Sequence, residues 1–180
     1  SDMSKKPYKD DTIKESLLLV NRSAKVVKGG RRFSFSALVV AGDKNGRVGY
    51  SRRKAKEVAD AREKASRNAR KEVEKRKVPL YQERTIHHDV FGRSGASRVI
   101  IRKAKPGTGI IAGGAMRAIF EMLGIKDVVA KSLGSSNVNN VIDATLNALS
   151  MLKTPKNLAD KRDKKVSELF AVAHNNEIGE

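Results

Sequence analysis

The chain has 180 residues, with 38 lysines and arginines against 20 aspartates and glutamates, so its formal net charge is +18. Cysteine is absent, which excludes disulfides and thiolate metal sites, and the three histidines are too scattered to predict a zinc site. No apolar run is long enough to cross a membrane, and the excess positive charge favours a polyanionic partner such as nucleic acid. Because tryptophan is absent and aromatic residues make up only 4%, contacts to phosphates are favoured over base stacking.

The first part of the chain has the pattern of a three-stranded antiparallel sheet. Residues 1–13 are polar, charged and aperiodic, and predict a flexible arm. Alternating and β-branched residues then predict strands over residues 17–27, 33–42 and 47–51. Turn sequences separate these strands, so they are expected to form a meander.

A long helix is expected to follow this sheet, over residues 54–77. Small apolar residues recur there at spacings of three and four, which lets a helix lie close to a sheet: Val58, Ala61, Ala65, Ala69 and Val73. Residues 14–78 are therefore predicted to form a first α+β domain, joined to the rest near residues 78–84.

The turn between the first two strands concentrates positive charge. Two glycines, which adopt positive φ angles without penalty, lie among cations in Lys28-Gly29-Gly30-Arg31-Arg32. Arg22 and Lys25 precede this turn, and no carboxylate occurs between residues 16 and 42. One interpretation is a solvent-exposed hairpin whose lysines only keep it soluble. The excess of positive charge over the whole chain favours the alternative, a surface that binds an anion.

A second α+β domain is predicted over residues 84–153. Two strands are expected over residues 85–91 and 97–104, joined by a turn at residues 92–95. A third strand is expected at residues 128–133. This half also holds an acid-free stretch from Val90 to Phe120 with six cations: Arg93, Arg98, Arg102, Lys103, Lys105 and Arg117.

Two helices are expected in this second domain. The first follows Gly114, has Met116, Ile119, Phe120 and Leu123 on one face, and stops at Gly124. The second is capped by Asn137 or Ser136, and its apolar face is Val138, Val141, Ile142, Thr145, Leu149 and Leu152. Residues 154–180 are expected to hold a short helix near residues 166–170 and a tail.

The glycine-rich segment at residues 107–114 leaves three interpretations open: a nucleotide site, a structural turn, or a backbone surface against a macromolecule. It lacks the Lys-Ser/Thr of a phosphate-binding loop, and its glycine spacing is one residue out of step with a dinucleotide fingerprint. No pair of acids near it suits acid–base chemistry, and no serine has a defensible histidine partner. The sequence therefore predicts no enzyme, no cofactor and no small-molecule substrate.

Several motifs together resemble the bacterial small-subunit ribosomal protein five family. The resemblance covers roughly residues 14–170, and its most specific part is the eleven-residue run at 107–117. The motifs are Val20-Asn21-Arg22, Lys28-Gly29-Gly30-Arg31, Phe33-Ser34-Phe35-Ser36-Ala37, Val40-Ala41-Gly42-Asp43, Asn45-Gly46, Gly107-Thr108-Gly109-Ile110-Ile111-Ala112-Gly113-Gly114-Ala115-Met116-Arg117, and Gly134-Ser135-Ser136-Asn137 with Asn140-Val141.

The resemblance implies a first domain similar to double-stranded-RNA-binding domains and a cytoplasmic, ribosomal protein. The family binds small-subunit ribosomal RNA, contacts proteins four and eight of that subunit, and supports translational accuracy near the channel through which messenger RNA enters. Its basic loop adjoins the spectinomycin site. By this resemblance the surface facing protein four involves Gly109 and Arg117. The residues expected to bind RNA are Arg22, Lys25, Lys28, Gly29, Gly30, Arg31, Arg32, Arg52, Arg53 and Lys54.

The chain also departs from the family pattern. Tyr50-Ser51-Arg52-Arg53 stands where the family usually has glycines before Lys-Ala, so either the backbone is held away from RNA or guanidinium groups reach phosphate instead. Lys103 and His87 stand where proline is common. Two other functions stay open: a component of an RNA-processing enzyme, since residues 67–72 resemble the protein subunit of ribonuclease P, and a general compactor of duplex RNA or DNA.

Overall fold

The computed structural model describes residues 12–135 and 137–153, and within them the first domain is a three-stranded antiparallel sheet with one helix. The strands are β1 (Lys14–Val27), β2 (Gly30–Gly42) and β3 (Val48–Ala55), paired in the order β1-β2-β3. The helix is α1 (Val58–Val73). The predicted meander and helix are confirmed, and the α+β fold class with them.

The predicted start of α1 was wrong by four residues. Residues 52–55 continue β3, because they pair with β2 from Leu38↔Arg52 to Phe35↔Ala55. The cross-strand ladder thus prevails over the helix propensity of Arg and Lys at these positions. At its other end α1 stops at Val73, and Lys77 forms a bridge to Arg47 instead.

The small-residue stripe of α1 packs against one face of the sheet. Ala61, Ala65, Ala69 and Val73 are fully buried, whereas Val58 at the start of the helix is 42% exposed. The helix lies so close that a Cβ on Gly49 of β3 would be 2.5 Å from the Ala69 carbonyl oxygen. The small side chains predicted to permit this approach therefore do so.

Order extends into the segment expected to be a flexible arm. The Ile13 side chain is buried in the cluster beneath α1, together with alternate β2 residues, Ala37, Val39 and Ala41. Residues 1–11 of the expected arm, the candidate cap Ser136, and the helix and tail expected over residues 154–180 lie outside the described residues.

The second domain is a four-stranded sheet with two helices. After the short pair β4 (Leu80–Tyr81) and β5 (Thr85–Ile86), the elements are β6 (Val90–Ser94), β7 (Ser97–Lys103), β8 (Ile110–Ile111), α2 (Gly114–Leu123), β9 (Val128–Gly134) and α3 (Val138–Ser150). The sheet order is β6-β7-β9-β8, with β8 parallel to β9 and the other pairs antiparallel.

The helix ends of this domain follow the sequence signals. Gly124 ends α2 in the left-handed conformation at φ 84°. The Asn137 side chain caps α3 by accepting a hydrogen bond of 3.0 Å from the Asn139 backbone N–H. The face predicted for α3 is buried at Val141, Ile142, Thr145 and Leu149, while Val138 is partly buried.

The predicted turn at residues 92–95 was wrong. Gly92 lies inside β6, where a Cβ would be 2.0 Å from the Ala144 carbonyl oxygen of α3. The turn instead uses Gly95, at φ 56°, and Ala96. Gly92 is therefore needed for close packing of helix on strand, and Gly95 for the turn. The strand expected at residues 85–91 is likewise divided into β5 and β6.

The two domains share one hydrophobic core. Leu38 and Val40 of β2 point away from α1 and join a cluster that contains Phe120 and Leu123 of α2. The loop after β2 is also bonded to the end of α2, since the Lys44 N–H donates to the Met122 carbonyl oxygen at 2.9 Å. The first sheet is thus covered on one face by α1 and on the other by the second domain.

Lys103 and His87, the two residues that stand where the family commonly has proline, both contact the Tyr81 ring. The Lys103 ammonium lies 4.1 Å from the centre of the Tyr81 ring, and the His87 ring meets the same ring edge-on at 5.5 Å. Burial lowers the pKa of His87 below its usual value, and the neighbouring His88 and Lys103 side chains act in the same direction.

Candidate nucleic-acid interface

The basic turn lies at the end of a two-stranded ribbon. β3 pairs with β2 only as far as Phe35, and beyond the pair Arg22↔Phe35 the β1–β2 hairpin continues without a third strand. We call residues 22–34 the basic ribbon. Its strands close through the pair Val27↔Gly30 and the two-residue loop Lys28-Gly29. The side chains on both faces of the basic ribbon are exposed to solvent at its tip.

The register divides the cations of the basic ribbon between its two faces. Residues paired across the ribbon share a face, so Lys25 and Arg32 lie together and Arg31 lies opposite Val26 on the other face. All five cations are exposed, and none forms an ion pair within residues 12–135 and 137–153. The five predicted cations therefore lie close together on the basic ribbon, where they can contact phosphates on both of its faces.

One aromatic side chain positions the first of these cations. The Arg22 guanidinium lies 3.9 Å from the centre of the Phe33 ring, on the same face of the basic ribbon. Cation–π contacts of this kind orient a guanidinium while leaving its N–H donors available. On the other face the Ser23 and Ser34 hydroxyls bond to each other at 2.7 Å. Phe33 appeared in the sequence only as an alternating strand residue.

The two glycines of the turn have different roles. Gly30 has φ 129°, a conformation that other residues rarely adopt, whereas the φ of Gly29 lies outside that region. A Cβ on either residue would meet no atom within 4 Å. A Gly29→Asp change would therefore place no side chain on left-handed backbone, and its effect would come from the added negative charge.

Arg52, Arg53 and Lys54 lie on β3 at the base of the basic ribbon, and they do not form one surface. Arg53 lies on the α1 side, where its Nε donates at 2.6 Å to the Asn68 side-chain oxygen in the amide orientation that satisfies both groups. Arg52 and Lys54 point to the opposite face of the strand. Arg53 is thus engaged by α1, a partner that sequence spacing could not reveal.

The glycine-rich segment is built around a buried carboxylate. Asp127, whose side chain is 2% exposed, accepts hydrogen bonds from the Gly107 and Gly109 N–H groups, each at 3.0 Å. The Arg84 guanidinium bonds its other oxygen at 3.0 Å. These backbone donors, with Arg84, hold the pKa of Asp127 below its usual value against the effect of burial. The two amides that would bind a phosphate already bind Asp127, which favours the structural turn among the three interpretations.

The two residues expected to face a neighbouring protein are close together. Arg117 on the first turn of α2 donates to the Ile110 carbonyl oxygen at 3.3 Å, next to Gly109. It also forms an exposed pair with Glu121 at 3.0 Å. Gly109 has φ 75° and open space around it. Both residues therefore lie on one accessible surface at the start of α2.

Residues 12–135 and 137–153 contain no group of three or more His, Asp or Glu side chains arranged to hold a metal ion. Within the same ranges, no helix has the length and apolar character needed to cross a membrane.

Comparison with known proteins shows the family. A model of the N-terminal domain of ribosomal protein S5 matches residues 13–75, and a model of its C-terminal domain matches residues 92–162. The chain belongs to the ribosomal protein S5 family. This is a family of structural, non-enzymatic proteins, so the prediction of no enzyme is confirmed, and the resemblance to a ribonuclease P subunit is not supported.

Relatives of this S5 chain match over nearly its whole length. The small ribosomal subunit protein uS5 of Rickettsia massiliae (strain Mtu5) is 59% identical over 178 residues, which cover 99% of this chain and 100% of the relative. That of Rickettsia conorii (strain ATCC VR-613 / Malish 7) is 61% identical over 167 residues, covering 93% and 94% of the two chains.

Proposed function

We propose that this protein is a structural constituent of the small subunit of the cytoplasmic bacterial ribosome and that it binds ribosomal RNA through the basic ribbon. The observation that carries the proposal is the exposed, two-sided set of cations on a ribbon with no carboxylate of its own. Membership of the S5 family supports the ribosomal setting. The protein contributes no chemical step, because its role is to hold RNA segments in a fixed arrangement and so to support subunit assembly.

The mechanism rests on phosphate neutralisation by a preformed shape. Lys25 and Arg32 on one face, and Arg22 and Arg31 on the other, meet phosphates on both sides of a groove or junction into which the ribbon projects. Lys28 at the loop reaches furthest. Since the ribbon is already paired in the free protein, little conformational entropy is lost on binding.

We also propose the finer roles that the family resemblance implies. The Gly109 and Arg117 surface faces ribosomal protein four, protein eight is a second neighbour, and the chain contributes to translational accuracy near the channel through which messenger RNA enters. The adjacency of Gly109 and Arg117 supports a single contact there. The basic ribbon is proposed to lie beside the spectinomycin site, with Arg52 and Lys54 contacting RNA at its base.

A salt titration tests the RNA-binding mechanism. If about six phosphates are contacted, affinity of the full chain for a small-subunit ribosomal RNA fragment falls by ~10³ between 50 and 200 mM salt. A flat response would falsify the electrostatic mechanism.

A matched pair of variants tests the location. Lys28→Glu at the ribbon loop is expected to lower RNA affinity by about tenfold and to reduce the salt slope by about 1. Lys126→Glu makes the same change of charge at an exposed position in the second domain, and is expected to lower affinity by less than about twofold. Equal losses in the two variants would show a diffuse charge effect and would count against the basic ribbon as the site.

A further inference from the structure

The sequence contains a single Asn-Gly pair, Asn45-Gly46, in the turn that connects β2 to β3. The Asn45 side chain is exposed to solvent, whereas Gly46 is buried. An asparagine followed by glycine is especially prone to deamidation, because glycine has no side chain to shield the backbone nitrogen that attacks the asparagine amide. A chemically labile pair thus lies in the turn that contacts the second domain.

The backbone of Gly46 is bonded to segments that follow the first sheet. Its N–H donates to the Leu123 carbonyl oxygen at the end of α2, at 2.9 Å. Its carbonyl oxygen accepts from the Val78 N–H at 2.7 Å, and a Cβ on Gly46 would lie 2.7 Å from the Val78 carbonyl oxygen. The Gly46 nitrogen is therefore hydrogen-bonded and enclosed, while the Asn45 amide that it could attack is open to water.

The turn is held in a strained shape by its contacts with α2. Lys44 has φ 56°, a left-handed conformation that is unfavourable for residues other than glycine. The Lys44 N–H donates to the Met122 carbonyl oxygen at 2.9 Å, so the residues on both sides of Asn45 are bonded to adjacent carbonyls of α2. Separation of the turn from α2 would relieve the strain at Lys44 and free the Gly46 nitrogen at the same time.

We propose that Asn45 is a deamidation site and that docking of the turn at residues 43–46 on α2 controls its reaction. In the open turn the Gly46 N–H loses its proton to hydroxide, and the nitrogen bonds to the side-chain carbonyl carbon of Asn45. The bond from that carbon to the amide nitrogen breaks, and ammonia leaves after taking a proton from water. Water then opens the succinimide at either carbonyl, which gives aspartate or isoaspartate.

Docking blocks the first step of this reaction. Hydroxide removes an amide proton from a buried hydrogen bond only when the structure opens locally, as in hydrogen exchange. While the Gly46 N–H is bonded to Leu123, the nitrogen therefore keeps its proton and cannot attack Asn45. The rate of deamidation should follow the fraction of time that the turn spends away from α2.

Isoaspartate at position 45 would prevent the turn from docking again. It adds one carbon–carbon bond of about 1.5 Å to the main chain between Lys44 and Gly46. The N–H groups of these two residues bond to the carbonyls of Met122 and Leu123, which are adjacent, so a longer connection misplaces at least one of them. A chain that stays undocked long enough to react is thus marked by a change that keeps its domains apart.

Mass spectrometry of peptides from aged protein measures the reaction directly. The full chain is incubated folded in mildly alkaline buffer and unfolded in urea, and the gain in mass on conversion of amide to carboxyl is followed at each asparagine. In urea, Asn45 is expected to react faster than Asn21, Asn68 and Asn147, whose following residues have side chains. In the folded chain, Asn45 is expected to react more slowly than in urea by about tenfold or more.

Two outcomes of this experiment would contradict the proposal. If Asn45 reacts no faster in urea than the other three asparagines, it is not a preferred deamidation site. If its rates in the folded and unfolded chain agree within about twofold, docking does not control the reaction.

Two glycine variants separate local docking from overall stability. A Cβ on Gly124 would be 2.1 Å from the Lys44 carbonyl oxygen, so Gly124→Ala pushes the turn away from α2. The matched control is Gly134→Ala at the C-terminal end of β9, where a Cβ would be 2.0 Å from the Ala96 carbonyl oxygen. The two glycines also have nearly equal φ angles, 84° and 83°.

In the folded state Gly124→Ala is expected to speed deamidation of Asn45 by about tenfold, and Gly134→Ala by less than about twofold. Circular dichroism checks that both variants are folded. Equal acceleration in the two variants would show that only overall unfolding permits the reaction, and no acceleration in Gly124→Ala would show that the turn does not control it. Either result would overturn the proposal.

Two measurements on the wild-type chain need no variant. Hydrogen exchange of the Gly46 N–H and deamidation of Asn45 begin with loss of the same proton, so folding should slow both by a similar factor. A Gly46 N–H that exchanges at the unfolded rate would refute the protection. Protein converted at Asn45 in urea, then refolded and separated from unreacted chain by ion exchange, should melt at a lower temperature than unreacted protein treated in the same way. An unchanged melting temperature would refute the loss of docking.

Discussion

Replacing Gly92 by alanine is expected to destabilise the second domain strongly, because β6 and α3 touch at this residue. A Cβ on Gly92 would lie 2.0 Å from the Ala144 carbonyl oxygen and 2.8 Å from the Ala148 backbone nitrogen. Ordinary contact begins near 3.4 Å, so α3 would have to move by the difference, about 1.4 Å. Both atoms belong to the helix backbone, and no side-chain rotation relieves the overlap.

The size of the loss in stability depends on the core side chains that α3 contributes. If α3 moves away from the sheet, the packing around Ile142 and Leu149 is loosened. The loss of this packing adds to the cost of the steric overlap. We expect a loss of about 3 kcal/mol in the free energy of unfolding, at the upper end of overpacking costs. For a chain of this size that lowers the melting temperature by about 6–12 °C.

Thermal and urea unfolding of the full chain, followed by circular dichroism, measures this loss. Gly114→Ala is the matched control, because Gly114 lies in the first turn of α2 with no atom within 4 Å of a built Cβ. Its stability should be unchanged or raised by up to about 1 kcal/mol, since alanine is the better helix former. A Gly92→Ala protein that melts within about 2 °C of wild type would refute the close-approach reasoning.

Three further predictions concern other parts of the chain. Gly30→Ala should speed amide hydrogen exchange in the basic ribbon by about fivefold, a cost of ~1 kcal/mol, whereas Gly29→Ala should not; equal rates would contradict the assignment of positive φ. Burial and a hydrogen bond to Asp143 raise the pKa of Tyr50 to about 12, so the stability from this contact is complete below pH 10 and is lost as pH rises toward 12. Tyr50→Phe should lower stability by about 1 kcal/mol at neutral pH, and urea midpoints of the two proteins should converge in this alkaline range; a constant difference would argue against it. The lowered pKa of Asp127 means that the stability it contributes is present above its usual pKa near 3.8 and is lost as pH falls through the lowered pKa of the folded state, so the destabilisation by Asp127→Asn should shrink in acid; a difference in urea midpoint that does not change with pH would contradict this.

The helical periodicities predicted the second domain well. The apolar spacings of α2 and α3 identify faces that are in fact buried, and Gly124 ends α2 as expected. Such patterns are local, so the sequence of one segment contains them in full. Strand boundaries were less predictable, because pairing with a distant segment decides them. Residues 52–55 are strand only because residues 35–38 lie beside them.

The roles of individual glycines and acids could not be read from local sequence. Gly29 and Gly30 are adjacent, and only the closing of the hairpin decides which one adopts positive φ. Gly92 and Gly95 were both assigned to a turn, although Gly92 is required by a helix more than fifty residues later. Asp127 accepts hydrogen bonds from Gly107 and Gly109, and this role depends on the parallel pairing of β8 and β9, which no local motif indicates. Contacts between distant segments settle each of these points.

The shared core has a consequence for tolerance to insertion and deletion. On one face of β2, Ala37, Val39 and Ala41 pack in the cluster beneath α1. On the other face, Leu38 and Val40 pack in the cluster around α2. A slip of one residue in this strand would exchange the two sets and place leucine where only alanine fits, so both domains would lose their cores at once. Loop insertions beside Lys28 should therefore be tolerated far better than any within residues 36–41. The direction in which the basic ribbon projects from the second domain is thus fixed by a single strand.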